Sequence, residues 1–122
     1  MPRGNANSRF QMRSVNLEAG RPAAAQAVAR MNQAVASARA SGAKALKLIH
    51  GYGSSGKGGA IRLEVRRELQ RKRTAGQIRD FIPGEEFSPF SPAGRRALGA
   101  LPELSRDPDY SRSNMGITIV LF

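Results

Sequence analysis

At 122 residues, the chain is long enough for one ordinary hydrophobic core and too short for two. Its 40% hydrophobic and 24% charged residues are those of a folded protein rather than a disordered tail. Twenty Lys and Arg against nine Asp and Glu leave a formal charge of +11, which makes a polyanion the expected partner, and the absence of cysteine excludes disulfides and thiolate chemistry.

Met1 to Gln11 is polar and lacks an apolar run, which predicts a loose tail over residues 1–11 rather than a signal peptide, ahead of one domain over 12–122. A cytoplasmic location is the expectation. Met12 to Leu17 sets Val15 and Leu17 against Ser14 and Asn16, the period-two pattern of a strand. Pro22 then opens an alanine-rich helix whose Ala24, Val28, Met31, Val35 and Ala38 recur every three or four residues up to a cap at Gly42. Ala43 to Ile49 reads as a second strand. It leads into His50-Gly51-Tyr52-Gly53-Ser54-Ser55-Gly56-Lys57-Gly58-Gly59, a loop by composition. From Ala60 to about Arg73 the spacing of Ile61, Val65 and Leu69 marks a second helix.

Ile78 to Ile82 predicts a third strand closed by Pro83-Gly84. The stretch 84–115 reads as an inserted segment rich in Pro, Ser and Gly, with a short helix around Pro92 to Ala100. Gly116 to Phe122 supplies a last strand, placed inside the sheet or beneath a covering element because its apolar run would aggregate at an open edge. The predicted fold class is therefore α/β: a two-layer sandwich with a mixed four-stranded sheet and two helices on one face, ordered βαβαβ, insertion, β. The longest apolar stretch, near Ile117 to Phe122, falls far short of the ~20 residues of a membrane span, so no membrane partner is expected.

The loop contains Gly51, Gly53 and Gly56 in a GxGxxG pattern between a strand and a helix. A dinucleotide fold also wants an acidic residue closing the next strand, and Asp80 falls in the middle of that strand instead. A Walker A loop fails as well, because Gly58 stands where a hydroxyl should hold magnesium. What remains is a phosphate site of backbone N–H groups at a helix N-terminus, with Lys57 adding a full charge.

Leu48-Ile49-His50-Gly51-Tyr52-Gly53, the glycines before Ala60-Ile61-Arg62, and Gly116-Ile117-Thr118-Ile119-Val120-Leu121 resemble the HGxG loop, following helix and final strand of Smr (small MutS-related) domains. The resemblance implies DNA or RNA binding and, in many members, a nicking endonuclease activity. Where that family's first strand ends in Leu-Asp-Leu-His-Gly, this chain has Val15-Asn16-Leu17-Glu18-Ala19.

The residues support a concrete expectation. If the first two strands are parallel, Glu18 and His50 emerge at one sheet edge as a catalytic pair, the carboxylate orienting the imidazole as a general base. Phosphate and nucleic acid would meet Gly51, Tyr52, Gly53, Lys57, Gly58, Arg62, Arg66 and Arg67, with Arg71, Lys72 and Arg73 continuing a basic helix face. Arg13, Lys44 and Lys47 would extend it. Tyr52 is the aromatic placed to stack on a base. No metal site is predicted and no cofactor is identified, a divalent metal being left open; should one take part, Glu18 is the expected ligand. The first functional reading is a nucleic-acid-binding domain, DNA favoured over RNA, that nicks phosphodiester bonds. The alternatives are a non-catalytic binding or adaptor module and a small-nucleotide-binding protein.

Overall fold

A computed structural model describes residues 12–52 and 57–122. The predicted tail over 1–11 lies outside the described residues. Strand β1, Arg13–Asn16, is shorter than its sequence pattern, although Leu17 continues the ladder by donating its N–H to Ile49 O at 2.8 Å. Helix α1, Ala24–Ala40, buries Ala27, Met31, Val35 and Ala38 and stops at Ser41 and Gly42, the latter at a φ of +79° that glycine adopts without strain. Strand β2, Ala45–Ile49, precedes α2, Lys57–Thr74, and β3, Asp80–Pro83. Helix α2 begins three residues ahead of the predicted Ala60 and buries Ile61, Val65 and Leu69 as expected.

The sheet order is β1-β2-β4-β3, where β4 is Ile117–Leu121. Strands β1 and β2 are parallel, and β4 runs antiparallel to both β2 and β3. Every residue of β4 is buried, as its position inside the sheet requires. The mixed four-stranded sheet with α1 and α2 on one face is the one read from the sequence. That face packs Leu46, Leu48 and Val120 against Met31, Val35, Ile61, Val65 and Leu69.

The predicted two layers become three. The stretch 84–115 forms a 3-10 turn at Gly84–Glu86, helix α3 over Pro92–Ala100 and a second 3-10 turn at Pro102–Arg106, and it covers the opposite face of the sheet. Phe87, Ala93, Ala97, Leu101 and Leu104 pack there on Ala45, Ile82, Ile117, Ile119 and Leu121. Ser91 caps α3 by accepting the Gly94 N–H at 2.8 Å, with Pro92 in the first turn. Lys47 points into this layer and meets Asp107 at 2.7 Å and Asp109 at 2.6 Å, so it fastens the cover to the sheet. Its charge is consumed internally: desolvation by burial would lower its pKa, but the hydrogen bonds and charges of Asp107 and Asp109 together outweigh that cost and raise it.

Candidate functional site

Strands β1, β2 and β3 run in one direction, so their C-terminal ends share one edge of the molecule. A helix follows each of them, which brings the N-termini of α1, α2 and α3 to the same edge, with their partial positive charge. Strand β4 starts there. His50 and Gly51, just beyond β2, both donate backbone N–H groups to Gly116 O, at 2.9 and 3.0 Å.

Gly51 has a φ of +81°, and a Cβ placed on it would collide with the Glu18 carboxylate. A Gly51→Ala variant is therefore expected to lose about 1–3 kcal/mol in chemical denaturation, through backbone strain and displacement of Glu18. An unchanged midpoint would show that the loop adopts another conformation in solution.

The alternation that turns Leu46 and Leu48 toward the helices turns His50 the same way, and its side chain is 0% exposed. Its Nδ1 lies 3.0 Å from Gly51 O and its Nε2 2.8 Å from Thr118 Oγ1. A carbonyl only accepts, so Nδ1 carries the proton and Nε2 accepts from the threonine hydroxyl. Thr118 Oγ1 in turn accepts from Arg66 Nε at 3.2 Å. Arg66 closes the chain with a two-pronged ion pair to Glu85, at 2.8 and 2.9 Å. Burial, reinforced by the charges of Arg66 and Arg62, lowers the His50 pKa to about 4. Desolvation alone would raise Glu85, but the hydrogen bond and charge of Arg66 hold it below the usual carboxylate range.

Arg62 sits one turn before Arg66, close enough for its charge to act on both His50 and Glu85. Its Nη1 is buried and has no hydrogen-bond partner among the described residues. Tyr52 rests its ring beside Gly116 yet is 62% exposed.

The Smr domain family model matches residues 21–86, more than half of the chain and the part that holds α1, β2, α2 and β3. The chain belongs to the Smr domain family. The solved Smr domain of Thermus thermophilus MutS2 shares its fold, with a TM-score of 0.57 at 24% identity, over 90% of this chain and 96% of that one. No curated protein matches the chain.

In this Smr domain, His50, Gly51, Tyr52, Arg62, Arg66 and Glu18 gather at one edge. Gly53 lies outside the described residues, and Lys57 and Gly58 open α2. Both ring nitrogens of His50 are engaged by Gly51 and Thr118, so the carboxylate-imidazole hydrogen bond expected with Glu18 is not made. Glu18 stands exposed against Gly51 instead.

The basic helix face is divided as well. Arg62, Arg66 and Arg73 share one side, whereas Arg67 and Arg71 point outward. Arg66 pairs with Glu85, Arg67 with Glu64, Arg71 and Lys72 with Glu68, and Arg73 with Asp80. Arg13 and Lys44 do not extend the patch, because they begin β1 and precede β2 at the far edge, and Lys47 lies under the cover. Sequence reasoning missed Thr118 and Glu85, although one polar residue within Ile117–Leu121 was a signal. Among the described residues, no three His, Asp or Glu side chains are grouped to hold a metal ion. Among them, too, no helix is long and apolar enough to cross a membrane.

Proposed function

We propose that this Smr domain binds nucleic acid at the edge formed by Gly51, Tyr52 and the start of α2, with Arg62 as the main phosphate donor. The carrying observation is the buried Arg62 Nη1 without an acceptor among the described residues. A desolvated guanidinium N–H is costly to leave unpaired, and an anionic oxygen entering the edge would repay that cost. The helix N-termini at the same edge, the net charge of +11 and membership of the Smr family support the same reading.

His50 then acts as a positioning residue. Neutral and fully engaged, it couples the Glu85–Arg66–Thr118 chain to the Gly51 carbonyl and so fixes where the loop leaves β2. DNA is the favoured partner over RNA.

Titrating labelled duplex DNA, branched DNA and single-stranded RNA across a salt series tests the reading. Log affinity should fall linearly with log salt, with a slope of about −0.9 per phosphate on duplex DNA. No binding, or a flat salt response, would overturn it.

A second reading, phosphodiester hydrolysis, is favoured by one observation: the exposed Glu18 carboxylate stands against Gly51, beside the phosphate edge. That carboxylate is suited to accept a proton from water or to ligate a divalent metal. Nicking of supercoiled plasmid that is lost in Glu18→Gln would support hydrolysis. Retarded but intact plasmid would leave a binding module.

A further inference from the structure

Two features of the edge are not used by phosphate binding: an aromatic ring held in solvent, and a strip of exposed side chains leading to it. Phe90 is 87% exposed, and the turn that carries it is built rather than slack. Phe90 N–H donates to Ser88 Oγ at 3.1 Å, Ser91 Oγ donates to Glu86 O at 2.5 Å, and Arg95 Nη1 donates to Pro89 O at 3.2 Å. Gly94 allows Ser88 O to pack directly on α3, where any Cβ would collide with it. Pro89 and Pro92 bracket Phe90 in the sequence.

The turn is joined to Tyr52 by the segment before β4. Ser111 N–H donates to Phe87 O at 2.8 Å, Gly116 N–H donates to Asn114 Oδ1 at 2.9 Å, and the Tyr52 ring lies beside Gly116. Along this strip Arg112 and Met115 are exposed. Arg112 and Arg95 make no ion pair among the described residues, unlike most arginines of α2. Ser111 and Ser113, on either side of Arg112, adopt φ values of +61° and +53°, conformations that residues with a Cβ rarely adopt. Phe90, Arg112 and Met115 all fall outside the stretch matched by the family model, 21–86.

We propose that the strip from Tyr52 through Met115 and Arg112 to Phe90 and Arg95 binds unpaired nucleotides, with Tyr52 and Phe90 stacking on bases and the two arginines meeting the phosphates between them. The proposal rests on the nucleic-acid reading above and names its substrate class: single-stranded DNA or RNA, or a junction exposing it. A duplex hides its base faces, whereas a strand with splayed bases offers one face to each ring. A rigid aromatic loses little conformational entropy on binding, and the exposed arginines beside it, neither in a salt bridge among the described residues, select a polyanion over an apolar protein surface.

The test compares short single-stranded DNA, single-stranded RNA and blunt duplex at fixed salt. Phe90→Ala is expected to weaken single-strand binding about 5- to 20-fold while duplex affinity stays within about twofold. The ring is in solvent, so matched melting curves should confirm an intact fold. Phe90→Trp gives a chain with no other tryptophan, whose emission should be quenched by the single strands and not by the duplex. The DNA and RNA arms identify which strand is preferred. Unchanged single-strand affinity in Phe90→Ala, with Arg62→Ala still weakening all nucleic acids, would overturn this inference alone and leave the ring to another partner. Equal losses on single strand and duplex would also overturn it. Absence of nucleic-acid binding by the unaltered chain would remove the parent reading and this one together.

Discussion

An Arg62→Ala variant is expected to bind nucleic acid about 10- to 100-fold more weakly than the unaltered chain, without losing stability. The two halves of that expectation come from the same atom. Arg62 Nη1 is buried with no acceptor among the described residues, so in the free protein it contributes a desolvation cost and no compensating hydrogen bond. Truncation removes the cost and the charge at once. Melting temperature should hold or rise, while affinity falls uniformly across sequences and the salt slope shrinks by about one phosphate contact. Arg67→Ala is the control, because that side chain is exposed and already paired with Glu64, and it should change affinity by less than about threefold. Anisotropy titrations in a salt series and thermal melts of both variants make the comparison. If Arg62→Ala melted early and bound normally, the guanidinium would be a prop for the His50 cluster, and the phosphate reading would fall.

The elements that frame this edge were legible because each carries its period plainly. Ala27, Met31, Val35 and Ala38 recur at helical spacing, and Ile117 to Leu121 carries apolar residues on both faces, broken only at Thr118, which only a covered inner strand tolerates. The same alternation contained the fate of His50: counted from Leu46 and Leu48, its ring must turn toward the helices, away from solvent. The cover was harder to read. Ala93, Ala97, Leu101 and Leu104 are spaced as a buried stripe, but alanines carry little hydrophobic signal and Gly94, Gly99 and Pro102 interrupt it. Charge was the least legible feature. A run of arginines on α2 looks like one basic face, yet Glu85 and Asp80, which neutralise Arg66 and Arg73, come from β3 and the turn after it. Such pairings depend on the tertiary fold and leave no local spacing to recognise.

Lowering the pH below about 6.5 is expected to destabilise this Smr domain well before its carboxylates titrate, and His50 is the reason. The histidine titrates near 6.5 in the unfolded chain and at about 4 when folded. Between those values the unfolded chain binds the additional proton, so stability falls as the pH drops from 6.5 toward 4 and this contribution levels off below that. The difference amounts to roughly 3 kcal/mol across the window. Asp80, Glu85 and Asp109, all held below their ordinary values by their cationic and hydrogen-bonding partners against the cost of burial, withdraw stability from about pH 5 downward, so the His50 contribution stands alone only above that. The chain has one histidine, so denaturant melts at closely spaced pH values isolate it. His50→Gln keeps an amide within reach of Thr118 and cannot take up the proton. That variant should be less stable at neutral pH and flat between about pH 6.5 and 5, above the range where the carboxylates contribute, and a slope that survived the substitution there would show that the network does not bury a neutral imidazole.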